Sequence, residues 1–275
     1  MTSQPILYET HMHTPLCKHA KGEPEAYAAV AEQRGLKGII VTCHNPTDNG
    51  WAPEVRMRID QFDEYVALVD RARQAWAGRV DVRLGLESDY APGMEGWLEK
   101  LHRRAEFHYI LGSVHALQPE YKERYFNGDV VAFQRLYFEH LALAAETGLF
   151  DSLAHPDLVK NIQPQAWNLE PIMDDIRRSL DRIAAAGVAM ELNTSGLNKA
   201  LPEMNPGRPI LAEMVRRNIP VVVGADAHDP QRVAANFEEA FDLLAEVGYT
   251  QVNIFLNRQR HALDLETARQ SLRTN

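Results

Sequence analysis

The chain has 275 residues, 45% apolar and 24% charged, ordinary values for a folded globular protein that exclude disordered, collagen-like and disulfide-scaffold classes. Twenty-nine Lys and Arg against 38 Asp and Glu leave a formal charge of -9, so there is no broad basic footprint for duplex nucleic acid. The opening residues lack a basic stretch followed by a long apolar run, no segment approaches about 18 apolar residues, and two cysteines make no disulfide framework; together these predict a cytoplasmic protein with no membrane partner and no stable nucleic-acid partner.

In chain order, apolar β-rich runs alternate with longer amphipathic ones, and Gly or Pro marks most changes of period. The expected strands are Ile6–His13, Gly38–His44, Val80–Asp89, Tyr109–His115, Phe150–His155, Val188–Asn193 and Val221–His228, with a weaker eighth at Gln251–Leu256. Between them, Pro24–Arg34, Glu54–Ala77, Asp129–Thr147, Pro171–Ala186, Arg208–Arg217 and Pro230–Glu246 have helical spacing. Several run from a Pro near the start to a Gly beyond the end. No linker or internal repeat interrupts the pattern, so one domain over 1–275 is expected. Strands separated by helices imply a parallel α/β sheet, open or closed. No Gly-rich nucleotide fingerprint follows any strand, and functional groups at strand C-termini favour the barrel.

Eleven histidines are many for this length, and their positions matter more than their number. His11 and His13 stand two apart at the end of the first strand, where extended backbone points both to one face. Asp226 and His228 repeat the arrangement at the end of the seventh. His44, Glu87, His115 and His155 close four other strands, and His19 lies in the loop after the first. Any one of these is unremarkable as a hydrogen-bonded core histidine. The same coincidence at strand after strand points to a metal site at the C-terminal edge, where parallel α/β folds build their sites.

Imidazoles with two carboxylates suit Zn, Fe or Mn better than Ca, and nine ligands are enough for three divalent ions. Such a centre carries about +4 once the two carboxylates are set against three divalent ions, which attracts a phosphate dianion despite the acidic surface. Metal-activated water attacking phosphorus in line, with the ions stabilising the phosphoryl oxygens, makes phosphoester hydrolysis the expected reaction. Glu87, Asp226 and His228 are the expected catalytic residues.

The ordered series His11-x-His13, His19, His44, Glu87, His115, His155, Asp226-x-His228 resembles the metal-ligand set of the polymerase and histidinol phosphatase (PHP) superfamily. The resemblance implies a distorted (β/α)7 TIM-like barrel with a trinuclear centre. His11, His13, Glu87 and Asp226 would hold one ion, Glu87 with His115 and His155 a second, and His19, His44 and His228 the third, with Glu87 as bridge. The strings Gly112-Ser113-Val114-His115, Gly148 through Asp157 and Glu191 through Leu197 resemble the monofunctional histidinol-phosphatase group. That implies a small phosphomonoester partner, L-histidinol phosphate, hydrolysed in histidine biosynthesis. The segment after His115 departs from the group: Ala116 replaces a frequent aromatic and the stretch to Tyr125 is short, which bears on leaving-group preference. The rivals are a phosphodiesterase or exonuclease of the same superfamily, and a metal-binding module without turnover.

Lys160 and Lys199, in loops on the expected active face, are the candidate phosphate clamps. A protonated amine on the substrate calls for a carboxylate, for which Asp48, Asp89 and Glu191 are candidates. Asp157 is expected to orient a ligand imidazole. Arg56 and Arg58 read as members of a charged helix, Cys43 as a small core residue facing away from His44, and Cys17 as a core thiol rather than a ligand.

Overall fold

A computed structural model describes residues 5–273, so the extreme ends of the expected domain lie outside the described residues. Seven parallel strands run in sequential order: β1 (Tyr8–Glu9), β2 (Gly38–Val41), β3 (Asp81–Asp89), β4 (Tyr109–Ser113), β5 (Ser152–Leu153), β6 (Ala189–Asn193) and β7 (Val221–Gly224). A parallel bridge between Met12 and Ala227 closes the circle: His13 N donates to Ala227 O at 3.0 Å and Ala227 N to His11 O at 2.9 Å. The helices α1 (Pro24–Gln33), α2 (Phe62–Ala75), α3 (Glu95–His102), α4 (Pro119–Tyr125), α5 (Val130–Glu146), α6 (Met173–Ala186), α7 (Arg208–Arg216) and α8 (Phe237–Val247) form the outer layer. This is the expected barrel.

Side-chain parity divides the core in two. Ile40, Tyr109, Leu111, Ala189 and Val222 face the barrel axis, while the residues between them, such as Ile39, Val41, Ile110, Met190 and Val221, pack outward, as a period of two requires. The eighth expected strand, β8 (Gln251–Leu256), is not part of the barrel. It pairs antiparallel with β9 (Gln259–Asp264), a hairpin whose Ile254 and Phe255 join the axial cluster. Phe255 stacks on Tyr109 with ring centroids 5.4 Å apart. The opposite, C-terminal end of the barrel is left for polar side chains. A last helix, α9 (Leu265–Ser271), follows the hairpin.

Two expected helices are shorter than their periodicity suggests. Over 54–77 only α2 is α-helical, and Arg56 and Arg58, between two 3-10 turns, have extended backbone. Over 230–246, a 3-10 turn at Pro230–Arg232 is separated from α8 by Ala234 and Asn236, both with positive φ.

Candidate metal centre

Inward parity carries most of the expected ligands to one place. In β2 it runs through Ile40 to His44, and in β4 through Leu111 to His115; Cys43 falls on the outward side and is fully buried there. Two strands need a local correction. Tyr8 faces the axis but so do His11 and His13, while Met12 packs outward. The phase therefore slips by one residue, and it does so beside the buried Glu9. That carboxylate accepts the N–H groups of Thr10 (3.0 Å), His11 (3.1 Å), Ala225 (3.0 Å) and Ala234 (2.8 Å), so one side chain satisfies the slipped backbone and ties β1 to the chain after β7. In the other, Ala154 faces the axis and its neighbour His155 would point away. A positive φ of 30° at His155 turns the side chain inward.

Asp226 also departs from the extended geometry expected of it. Its φ is 49°, and regular pairing of β7 ends at Gly224. It still meets His228, with Nδ1 3.3 Å from Asp226 Oδ1, but through a turn rather than a pleat. Gly224 has a steric reason: a Cβ there would collide with Glu191 Oε1 and crowd the His11 Cβ.

Glu87 lies at the centre, fully buried. Its Oε2 is 2.6 Å from His44 Nδ1, 3.5 Å from His11 Nε2 and 3.7 Å from His13 Nε2; its Oε1 is 3.1 Å from His155 Nε2 and 3.3 Å from His115 Nε2. Asp226 Oδ1 is 3.1 Å from His13 Nε2 and 3.6 Å from His11 Nε2. His19, exposed at the rim, has its ring 4.5 Å from that of His228 and 5.4 Å from that of His44. All nine expected ligands thus surround one region.

Burial opposes charge on Glu87, but His44, His115 and His11 outweigh it and hold the carboxyl well below the usual range. Asp226 is held well below its range in the same way, against burial, by His11, His13 and His228. Burial, and then Arg56, push His44 well down. Burial, and then His13, bring His228 to about 4. Ionised Glu87 and Asp226 beside neutral His44 and His228 are the protonation states that metal binding requires. Burial opposes charge on His11 and His115 too, but Glu191, Asp226 and Glu87 hold His11 well above its usual value, and Asp89 and Glu87 raise His115 to about 9, so both give up a proton to bind a cation.

A second layer fixes the rings. His11 Nδ1 is 2.7 Å from Glu191 Oε1, His115 Nδ1 is 2.7 Å from Asp89 Oδ1, His19 Nδ1 donates to Cys17 O at 2.7 Å and His228 Nδ1 to Asp226 O at 3.0 Å. Each contact engages Nδ1 and leaves Nε2 for a ligand role. His11 Nε2, His228 Nε2 and Glu87 Oε2 are buried and have no hydrogen-bond partner. Three sets, His11–His13–Asp226, His44–Glu87–His115 and His13–His44–His228, each bring their donor atoms within 4.8 Å of one another. Stranded donors and acceptors converging in this way fit divalent cations of the His-and-carboxylate type.

A PHP domain family model matches residues 9–195. The chain belongs to the PHP domain family. A Deinococcus radiodurans protein named probable histidinol-phosphatase is 37% identical over 248 residues, covering 88% of this chain and 94% of the relative. The histidinol-phosphatase of Bacillus subtilis is 26% identical over 258 residues, covering 83% and 96%. Among solved structures, a histidinol phosphate phosphatase of Lactococcus lactis complexed with zinc, L-histidinol and phosphate superposes with a TM-score of 0.79 at 17% identity, covering 92% of this chain and 98% of that one. The PHP match stops before Asp226 and His228, yet the fold seats both beside His11 and His13 from its matched part.

The expected substrate contacts fare less evenly. Lys199 lines the centre's cavity of about 170 Å3, with Nζ 4.0 Å from Asp226 Oδ2. Lys160 is not a loop clamp: it is completely buried, and its three N–H groups go to Asp157 Oδ2 (3.0 Å), Glu203 Oε2 (2.9 Å) and Met204 O (2.8 Å). Asp157, bound to Lys160, Asn205 and Gly207 N, orients that staple and not an imidazole. Asp89 and Glu191 are buried and engaged by His115 and His11, so neither offers a free carboxylate to an amine. Asp48 is exposed in the loop after His44.

Arg56 is the residue that sequence reasoning undervalued. It is 2% exposed and binds Asp89 through Nε (2.9 Å) and Nη2 (2.7 Å), behind His115. The sequence carries no signal for this beyond its place three residues after Pro53.

Proposed function

We propose that this chain is a metal-dependent phosphomonoesterase that hydrolyses L-histidinol phosphate to L-histidinol and phosphate. The observation that carries the proposal is the cage itself: one buried carboxylate, Glu87, within 3.7 Å of five imidazoles, at the barrel edge where such folds do chemistry. Three divalent ions of the zinc, iron or manganese class suit this donor set. His11, His13 and Asp226 would serve one, His115 and His155 a second, and His19, His44 and His228 the third, with Glu87 shared between the first two. When bound, such ions supply Lewis acidity and a nucleophilic water at neutral pH.

The protein's own groups do the rest. Glu191 and Asp89 hold the His11 and His115 rings in place, so the donors are preorganised before substrate arrives. Lys199, at the cavity wall, meets phosphoryl oxygens. Val55, Leu117 and Gln118 line the same cavity and give an imidazole leaving group an apolar face with one amide. The names of the curated relatives and the ligands of the Lactococcus structure support the choice of substrate.

The test is kcat/KM across a phosphomonoester panel that includes L-histidinol phosphate, with enzyme of measured metal content. A clear preference for that ester is expected. Equal rates across the panel would refute the substrate, and comparable hydrolysis of a bis-aryl phosphodiester would move the reaction class.

A further inference from the structure

Beside the metal centre, and sharing Asp226 and His228 as its inner wall, lies a second open cavity of about 340 Å3. It is also lined by three cations from three separate loops: Lys21 after β1, Lys199 after β6 and Arg232 after β7. In a chain of net charge -9, three cations from loops remote in sequence meeting at one cavity are not a solvated face of a single helix.

Arg232 lacks the carboxylate partner that most arginines of this molecule have, while Lys21 is an exposed lysine and Lys199 reaches Asp226 at 4.0 Å. Arg34, Arg56, Arg177, Arg182, Arg217 and Arg258 each bind a carboxylate. Among the described residues neither Lys21 nor Arg232 has a carboxylate partner, and Arg232 Nη2 is buried with no hydrogen-bond acceptor at all. A desolvated guanidinium N–H without an acceptor is costly unless a ligand supplies one. The acidic groups of the cavity do not fill that role. Asp226 faces His13 through Oδ1 (3.1 Å) and accepts from Ser195 Oγ at Oδ2 (3.1 Å), and Asp229 Oδ1 caps Gln231 N at 3.0 Å.

We propose that this cavity is an anion subsite and that the enzyme also hydrolyses phosphomonoesters whose leaving group carries a second anionic group, a carboxylate or phosphate, held by Arg232 and Lys21, while Lys199, which lines both cavities, stays on the scissile phosphoryl group. The proposal rests on the phosphomonoesterase reading of the adjacent centre. With the scissile phosphoryl group at the wall formed by Asp226 and His228, a leaving group of a few bonds reaches Arg232 and Lys21. The reaction balances as simple hydrolysis: water adds to phosphorus, the ester P–O bond breaks, the leaving alkoxide takes a proton as the alcohol, and inorganic phosphate departs. Charge-assisted bonds from a planar guanidinium suit such an anion geometrically as well as electrostatically.

Two measurements on the metal-loaded protein test this. Calorimetric titration compares methylphosphonate with phosphonoacetate, which adds a carboxylate to the same non-hydrolysable phosphonate. Wild type is expected to bind phosphonoacetate about tenfold or more tightly, with the preference collapsing towards unity in Arg232→Gln and falling in Lys21→Gln. The matching turnover assay is the kcat/KM ratio of 3-phosphoglycerate to glycerol 3-phosphate, which is expected to drop in the same variants. Equal affinities in wild type, or a preference that survives both substitutions because the carboxylate simply chelates the ions, overturns the subsite. Turnover of both esters with an unaltered ratio in the variants also overturns it while leaving the phosphatase intact. An Arg232-dependent binding preference with neither ester hydrolysed upholds the subsite and refutes the phosphatase.

Discussion

Replacing Arg56 with Met separates what the Arg56–Asp89 pair contributes to stability from what it contributes to the metal centre. The two side chains are 1% and 2% exposed, and removing the guanidinium strands a buried carboxylate, a change that typically costs about 3–5 kcal/mol. Asp89 keeps His115 Nδ1 at 2.7 Å and Ser113 Oγ at 3.2 Å, so the lower end, about 3 kcal/mol, is expected. At roughly 2–4 °C per kcal/mol, that is a fall in Tm of about 6–12 °C. The second consequence runs through the imidazole: an Asp89 that turns or protonates no longer holds His115, and losing such a partner lowers metal affinity about 10–100-fold. Scanning calorimetry of the chelated protein and competition against a chromophoric chelator read the two effects separately. The double variant Arg56→Met/Asp89→Asn removes both charges, so Tm should largely recover while metal affinity stays depressed, because an amide oxygen is a weaker acceptor for the ring N–H. A single variant whose Tm stays within about 2 °C of wild type, or a double variant that regains full metal affinity, refutes the reasoning.

Lys160→Met should destabilise by about 3–5 kcal/mol, because Asp157 loses its buried partner, and should leave KM for phosphoesters unchanged; a raised KM at undiminished Tm would return Lys160 to the substrate. Glu87→Gln, which removes the one charge shared by five imidazoles, should cut both bound metal and turnover by orders of magnitude with the far-ultraviolet circular dichroism intact, and near-normal rates would contradict the assignment. His115 gives the chelated protein a pH signature: burial opposes its charge, but Asp89 and Glu87 raise it to about 9. Its stabilisation is complete below the unfolded value of about 6.5 and is lost as pH rises through 9. Tm of chelated protein should therefore fall over that interval and Tm of metal-loaded protein should not, since cations displace the proton; parallel curves would refute the link. His140 behaves oppositely. Burial foremost lowers it to about 4, with its Nδ1 2.6 Å from the Tyr121 hydroxyl, so its contribution holds above pH about 6.5 and declines by about 3 kcal/mol as pH falls through 4. His140→Gln should flatten the acid limb of a stability–pH curve, and an unchanged limb would count against it.

The convergence of the candidate ligands was legible because two simple regularities coincide on them. Strand parity is read directly from alternation, and parallel α/β folds present strand C-termini at one edge, so His44, His115 and Glu87 could be placed in one region without knowing any long-range contact. The βα alternation gave the seven barrel strands for the same reason. Even where the local geometry differed, at His155 and Asp226 with their left-handed backbone, the residue type at the strand end was the right signal and only the means of delivery was missed.

What stayed hidden has no period to betray it. Glu9 looks like any polar residue beside a strand, and its role exists only because the inward phase of β1 slips beside it and leaves N–H groups that one carboxylate can collect. Arg56 sits in a stretch whose apolar spacing continues into α2, so periodicity absorbed it into a helix that begins only at Phe62; its partner Asp89 is 33 residues away. Lys160 misled in the opposite direction, since a lysine five residues beyond a ligand histidine has the same local sequence whether its ammonium meets solvent, a phosphate or a buried carboxylate. In all three cases the deciding quantity is the desolvation of a charge, which depends on what the rest of the chain packs around it. Arg232 poses the same question at a single atom: the side chain is half-buried, its Nη2 is buried without an acceptor, and the proposed subsite has a bound anion supply one.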